Sequence, residues 1–338
     1  MAERVGFEPT WLAPIRFRGG AVMTASVPLL IRRRSFYQQS AIIRKPTNGP
    51  SHKLNHMLDT IRTLLNEEEV DHQSLVQVTL AEGETMYAFQ TSGSKAVAYW
   101  QRLKDALATT EKDLAFVAVL LGTEQSFELT MEHLGSLAPL SLEFREDEEE
   151  PSVMRAEPTT AELVEMGEKI DCQNWLAERL ERFVCPPGEW PVTMKVGLVS
   201  EPEPFNTDDQ PMSINYWDNN LDRLVVGERI YMALVPTSVS YKIPVLMRFG
   251  GENSCPKAQE HYAMLKRWHE LHGASILAIE PNVIECFVEK PPMNKEQALK
   301  IAREHYGYSN DTIDQGEGEI AAYAYELLNK KLWTFWWD

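Results

Sequence analysis

Two hydrophobic periodicities alternate along the chain from residue 57 onward, and together they predict strands and helices in mixed order. Apolar and polar residues alternate at 74–81 and 86–91, which predicts two strands. Between residues 96 and 107 the apolar positions recur at helical spacing. The continuous apolar run 114–121 predicts a buried strand. Strand, helix and strand in this order indicate an α/β or α+β unit.

The mixed pattern continues through the second half of the chain. It predicts one long helix at 160–183, strands at 192–199, 224–235, 275–279 and 283–288, and a polar loop at 201–220. Proline suits the first helical position, so Cys255 before Pro256 is expected at or near the N-cap of a helix reaching His272. Asp311 is expected to cap a helix that reaches residue 328. The expected fold class is α+β, with mixed or antiparallel sheet, packed helices and a C-terminal aromatic strand.

Composition divides the chain into four segments. Residues 146–159 contain a run of five acidic residues followed by two prolines, which is typical of a solvated linker. This linker separates an N-terminal α/β unit at 57–145 from a C-terminal domain at 160–338. The remaining segment, residues 1–56, has a different composition.

Residues 1–56 contain nine Lys or Arg and only two acidic residues, a composition that resembles an organelle transit peptide. A second interpretation fits the opening better. The sequence VGFEPT at 5–10 is what results when the antisense strand of a tRNA T-arm is translated. We therefore expect this segment to be a non-native or disordered extension, with translation beginning at Met23 or Met57.

The body of the protein is acidic. From residue 57 onward there are 24 basic and 48 acidic residues, a net charge of −24. Such a surface repels nucleic acid and anionic membranes and attracts a basic protein partner. The longest apolar run is strand-sized, well short of the roughly 18 residues that a membrane span needs. Four scattered cysteines without a CxxC pair predict a reduced, cytoplasmic protein.

Five sequence elements resemble the bacterial family called domain of unknown function 4253. They are FGGENSCP at 249–256, the His-rich stretch at 261–274, the segment 289–306, DTIDQG at 311–316 and WTFWWD at 333–338. The resemblance is specific over residues 236–338 and looser upstream. In two places the chain departs from the family: Gly251-Glu252 stands where Gly-Trp is common, and Ser309-Asn310 where Cys-Pro is common. The resemblance implies a common fold and no assigned activity.

Several residues in this region are candidates for catalysis. A cysteine at a helix N-terminus has its thiolate favoured, and with a histidine base it becomes a nucleophile. The candidates are Cys255, His261, His269, His272 and His305 for thiol chemistry, and Asp311 and Asp314 for acid–base chemistry. The alternative is that the cysteine and aspartates are capping residues and the histidines are packing residues.

The aromatic end of the chain supplies the binding candidates. In a strand, Trp333, Phe335 and Trp337 point to one face and Trp336 and Asp338 to the other. Burial of both faces would make this a central strand, whereas exposure of Trp336 would make it a partner-binding anchor. The binding candidates are Trp268, Gln315, Trp333, Trp336, Trp337 and Asp338. No metal site and no cofactor are expected, since the histidine spacing does not match helical zinc sites.

Two functions remain open from the sequence. The first is a non-enzymatic cytoplasmic binding module, of immunity or regulatory type, that covers a basic protein. The second is an enzyme that uses Cys255 with a nearby histidine, or Asp311 with Asp314, in a cleft of the C-terminal domain. The distance between Cys255, a histidine and Asp311 discriminates between the two hypotheses.

Overall fold

A computed structural model describes residues 75–109, 115–136, 157–184, 186–191 and 229–338, together with helical positions 59, 61–63 and 65. The predictions for residues 1–56, for most of the acidic linker, and for the segment 192–220 lie outside these described residues. No helix in the described ranges is long and apolar enough to cross a bilayer.

A seven-stranded mixed sheet forms the centre of the described fold, which confirms the α+β class. Its strands are β1 (Val76–Thr79), β2 (Thr85–Ser92), β3 (Val117–Gly122), β4 (Arg229–Val235), β5 (Ser275–Glu280), β6 (Val283–Phe287) and β7 (Leu332–Trp336). They lie in the order β1-β2-β4-β3-β5-β6-β7. Neighbours are antiparallel except for β3 and β5, which are parallel. The sheet therefore draws strands from both sides of the acidic linker.

Helices cover both faces of this sheet. The described α-helices of four residues or more are α1 (Ala96–Thr109), α2 (Glu124–Ser136), α3 (Thr160–Glu168), α4 (Cys172–Arg182), α5 (Ile243–Leu246), α6 (Ala258–His272), α7 (Lys295–Tyr308) and α8 (Ile320–Glu326). Residues of α1 and positions 61 and 65 pack on one face. The other face carries the larger core, which includes α2 and α4–α8. We call these the α1 face and the α6 face.

The predicted helix at 160–183 is wrong in one respect, because the structure has two helices there. Helix α3 ends at Glu168, and α4 begins at Cys172. The Asp171 side chain accepts hydrogen bonds from the backbone N–H groups of Gln173 and Asn174. An aspartate that caps new N–H groups starts a second helix rather than continuing the first. The break lets both helices pack against α6.

The C-terminal strand β7 lies at the edge of the sheet rather than at its centre, because it pairs only with β6. The predicted alternation is correct: Trp333, Phe335 and Trp337 belong to the core of the α6 face. The free edge is covered by side-chain hydroxyls. Ser309 Oγ donates to the Trp336 carbonyl over 2.7 Å, and the Trp336 N–H donates to Thr312 Oγ1 over 2.9 Å. These bonds satisfy backbone groups that an edge strand would otherwise expose.

Candidate functional site

Cys255, His261 and Tyr308 form a continuous hydrogen-bonded chain at the end of the α6 face. Cys255 Sγ lies 3.4 Å from His261 Nε2. The second ring nitrogen, Nδ1, lies 2.5 Å from the Tyr308 hydroxyl. Both nitrogens of the imidazole are therefore engaged, and its orientation is fixed. A thiol next to a histidine that a third group orients is the arrangement that activates a nucleophile.

The turn that carries Cys255 places it beside the first part of α6. Cys255 lies near the start of this helix, as predicted, but it is not the cap, since Lys257 is the N-cap and the helix begins at Ala258. The turn is closed by Gly251 N–H, which donates to the Pro256 carbonyl over 2.9 Å, and by Cys255 N–H, which donates to Glu252. The thiol therefore gains little from the helix N-terminus. Its reactivity depends on His261 and on nearby charges.

Gly250 lets the turn approach the imidazole. Its φ is +89°, and a Cβ built there would stand 2.1 Å from the Pro256 carbonyl oxygen and 2.6 Å from His261 Nε2. Any side chain would occupy the space that the imidazole and the turn share. The glycine at this position is therefore required both by backbone conformation and by contact with His261.

Burial keeps the thiol and the imidazole neutral at rest. Desolvation raises the pKa of the Cys255 thiol to about 12, although a backbone hydrogen bond from Gly251 and the charge of Arg179 act in the opposite direction. Desolvation lowers the pKa of His261 to about 3. The two groups therefore form a neutral hydrogen-bonded pair rather than a thiolate–imidazolium pair.

Arg179 of α4 joins the site from the upstream segment. Its Nε donates to the Gly307 carbonyl over 2.5 Å, and its Nη2 donates to the Ser254 carbonyl over 2.6 Å. The guanidinium also lies over the Trp175 ring at 4.9 Å. These bonds fix a positive charge next to the turn of Cys255. Burial lowers the pKa of Arg179, but a guanidinium remains charged at neutral pH.

Asp311 lies next to the turn and links it to the chain end. Its Oδ2 accepts a hydrogen bond from Ser254 Oγ over 3.0 Å and another from the Asp338 N–H over 3.2 Å. Asn253 Nδ2 donates to the Asp338 carbonyl over 2.7 Å. The structure thus brings Cys255, a histidine and Asp311 into one neighbourhood, with Asp311 one residue removed from the thiol. Asp311 does not cap a long helix as predicted, because a π-helical turn at Ile313–Glu317 separates it from α8.

The other predicted catalytic residues lie apart from the hydrogen-bonded chain of Cys255, His261 and Tyr308. His269 is exposed at the end of α6, where Nδ1 lies 2.9 Å from the Ala274 carbonyl. His305 is fully buried next to Trp333 and Tyr323, and its Nδ1 lies 3.0 Å from the Tyr323 hydroxyl. His272 is half-buried against Trp333. Exposed Asp314 accepts a hydrogen bond from the Tyr306 hydroxyl. These are packing and surface contacts.

The tryptophans divide between the core and the surface. Trp268, Trp333 and Trp337 are buried, and Trp268 stacks on Phe335 at 5.1 Å. Trp268 Nε1 donates to Glu304. Buried indoles of this kind pack the core. Trp336 is half-buried, Gln315 is half-buried in the π-helical turn, and Asp338 is exposed, so these three remain accessible.

Neither the surface groove nor the possible metal ligands among the described residues indicate a second candidate site of this kind. A groove of about 330 Å³ lies between the α3–α4 junction and α6, and Cys172, Lys266 and Arg267 are among its lining residues. Cys255 is not part of it. Within the part of the chain that the structure describes, no three His, Cys, Asp or Glu side chains converge on a metal position.

Sequence reasoning missed two residues of the site, Arg179 and Tyr308. Tyr308 ends α7, and it lies 47 residues from His261 along the chain. Arg179 lies 75 residues before Ser254. No local pattern links positions so far apart. The only available sign was the helical spacing of α4, on which Trp175 and Arg179 share one face at i and i+4.

The fold and the site together define an α+β domain whose mixed sheet supports a neutral Cys–His–Tyr chain beside its C-terminal end. Residues 231–338 match the family model of a domain of unknown function, DUF4253. The resemblance seen in the sequence motifs is therefore confirmed for this C-terminal segment. Searches of curated proteins and of solved structures found no match.

Proposed function

We propose that the C-terminal domain is an enzyme in which Cys255 is the nucleophile and His261 is its general base. The observation that carries this proposal is the 3.4 Å contact between Cys255 Sγ and His261 Nε2, with Nδ1 held by Tyr308. Cys255 is half-buried, and residues 251–253 of its turn are exposed, so a substrate approaches from the turn. His261 is fully buried with Nε2 facing the Cys255 sulfur, so proton transfer to and from the reacting groups takes place at that end of the ring.

The reaction class that fits a neutral thiol–imidazole pair is acyl transfer to water. The thiol attacks a substrate carbonyl carbon while its proton passes to His261 Nε2. The leaving group takes that proton as the tetrahedral intermediate collapses to a thioester on Cys255. Water then attacks the thioester, again with His261 as base, and releases a carboxylic acid and the restored thiol. Tyr308 accepts a hydrogen bond from Nδ1–H while the imidazole is charged.

Arg179 stabilises the thiolate in this step, although the same positive charge lowers the pKa of the His261 base. Its charge favours the thiolate and opposes the desolvation that raises the pKa of Cys255. The guanidinium is fixed by the Gly307 and Ser254 carbonyls, so it does not reorient during the reaction. Arg179 is therefore a positioning and electrostatic residue rather than a nucleophile or a base.

The test uses p-nitrophenyl acetate as probe, with release of p-nitrophenolate and the intact mass of the protein as readouts. We expect an acetyl adduct on Cys255 that is absent from Cys255→Ala. His261→Gln should slow acylation by about 100-fold or more, the usual contribution of a general base. Cys172→Ala is the matched control, because Cys172 is also a half-buried free cysteine. Equal acylation of Cys172 and Cys255, or no effect of His261→Gln, would refute the proposal.

A second candidate is the binding module that covers a basic partner. The net charge of −24 from residue 57 onward supports it, as does half-buried Trp336 near the chain end. Under this proposal the domain acts in the cytoplasm and binds without turnover. Co-purification of a stoichiometric basic protein, together with an inert Cys255, would favour it over the enzyme.

A further inference from the structure

A second group of polar side chains lies on the α1 face of the sheet, opposite the core that holds His261. Glu285 of β6 pairs directly with Thr334 of β7. The neighbours of Glu285 in β6, Ile284 and Cys286, belong to the core of the α6 face. Since side chains alternate along a strand, Glu285 and Thr334 both point to the α1 face.

Both side chains are buried and incompletely satisfied. Glu285 is 4% exposed and Thr334 is 5% exposed. Glu285 Oε2 and Thr334 Oγ1 have no hydrogen-bond partner. Buried polar groups are nearly always paired, and a buried carboxylate without a counter-charge costs several kcal/mol. Two adjacent unpaired groups at one place therefore need an explanation beyond packing.

Aromatic and apolar side chains border this pair. Trp336 follows Thr334 by two residues and therefore lies on the same face, where it pairs with Val283. Both Trp336 and Val283 are half-buried. Side chains that are diagonal across an antiparallel pair lie roughly 7 Å apart, so the indole is within reach of a group bound at Glu285. We call Val283, Glu285, Thr334 and Trp336 the Glu285 site.

We propose that the Glu285 site binds an alkylammonium group, with the Glu285 carboxylate and the Thr334 hydroxyl as acceptors and the Trp336 ring beside the cation. An ammonium carries three N–H donors, which suits two oxygen acceptors and an indole face. The same chemistry is presented by a free alkylamine and by the side chain of a lysine. Among the described residues, no group of three His, Cys, Asp or Glu side chains forms a metal site here.

The electrostatics of Glu285 favour the binding of a cation. Burial, with a smaller contribution from the charge of Glu280, raises the pKa of the Glu285 carboxyl well above its ordinary value. Burial therefore favours the protonated form of the carboxyl as long as no counter-charge is near. An arriving ammonium supplies the missing counter-charge, so the carboxyl ionises and releases its proton to solvent.

The test is a titration of the full-length protein with n-butylammonium chloride, measured by isothermal titration calorimetry at fixed ionic strength. n-Butanol has the same alkyl chain without the charge, and we expect it not to bind. Glu285→Gln keeps the shape of the side chain and removes its charge, and it should weaken ammonium binding by about 10- to 100-fold. Glu132→Gln, an exposed carboxylate of α2, is the matched control and should leave binding unchanged.

The unfolding temperature of each variant shows whether a loss of binding comes from a loss of folding. Glu285→Gln should unfold at or above the wild-type temperature, because the amide is neutral, fits the same space and needs no proton uptake on folding. Trp336→Leu should weaken binding by a smaller factor than Glu285→Gln. A blocked Gly-Lys-Gly peptide tests the lysine source: tighter binding than n-butylammonium assigns the site to a protein partner, and weaker binding assigns it to a free amine. If n-butylammonium does not bind, or binds Glu285→Gln equally well, the proposal is overturned.

Discussion

Replacing Gly250 by alanine should separate backbone strain from the contact that positions His261. Gly250 and Gly251 have nearly the same φ, +89° and +93°. A Cβ at Gly250 would stand 2.1 Å from the Pro256 carbonyl and 2.6 Å from His261 Nε2, whereas a Cβ at Gly251 would meet only Lys257 Cγ at 3.8 Å. The two alanine variants therefore carry similar strain, and only one carries a clash.

The expected losses in the free energy of unfolding follow from two contributions, the backbone strain and the clash. A non-glycine residue held at such a φ costs on the order of 1–3 kcal/mol. Forcing an extra carbon into a packed site costs about 1–3 kcal/mol more. Gly251→Ala should therefore lower the free energy of unfolding by about 1–3 kcal/mol, and Gly250→Ala by about 2–6 kcal/mol, from summing the two terms.

Urea unfolding of both variants, followed by tryptophan fluorescence, measures the difference directly. The contrast between the two variants should be about 1–3 kcal/mol, the clash term alone. In folded Gly250→Ala, the rate of Cys255 acylation should also fall, because the imidazole must move. Equal destabilisation by the two substitutions would refute the reasoning that Gly250 is needed for the approach to His261.

Three further predictions concern burial and the strand edge. His261→Gln should flatten the pH dependence of stability. Between pH 6.5 and about 3, His261 binds a proton in the unfolded state but stays neutral in the folded state, because it is buried. The free energy of unfolding of the wild type therefore falls as pH falls, by up to about 1.4 kcal/mol per pH unit. Urea midpoints at pH 7 and 4.5 measure the difference, and parallel slopes would contradict it. Ser309→Ala removes the hydroxyl that bonds Trp336 and should cost about 1–3 kcal/mol, whereas Thr63→Ala on an exposed position should cost under about 0.5 kcal/mol. Trp333→Ala, at a fully buried position, should cost about 3–5 kcal/mol in the same assay, and a loss below about 1 kcal/mol would show that the core refills the space.

Local patterns in the sequence predict the local parts of this fold well. The apolar run at 114–121 covers all of β3 except its last residue, Gly122, and the alternation at 332–338 places Trp333 and Trp336 on opposite faces as observed. The prediction of one helix at 160–183 is wrong at residues 169–171, because the apolar periodicity continues through this break while the Asp171 cap starts a new helix. Capping competes with periodicity, and spacing alone cannot reveal which of them prevails.

Only the part of the candidate site formed by residues close together in sequence could be predicted. Cys255 and His261 are six residues apart, so their proximity follows from one turn and the start of one helix. Tyr308 and Arg179 reach the same place through the packing of α7 and α4 on α6, which depends on the whole sheet. The departure at Ser309 reads in the sequence as a lost cysteine, yet the structure gives this residue a different role: its hydroxyl ties β7 to the end of α7.

The folding unit extends beyond the segment that matches the family. Residues 231–338 contain most of β4 and all of β5, β6 and β7, yet β4 does not pair with any of these three. Strand β3, from upstream, lies between β4 and β5 and joins them. Helix α4 adds Arg179 to the turn of Cys255, and Trp175 donates to Glu260 at the start of α6. Without the upstream strands β4 would have no partner in the sheet, and without α4 the Cys255 turn would lose its fixed positive charge, so both the sheet and the site depend on residues outside the matched segment.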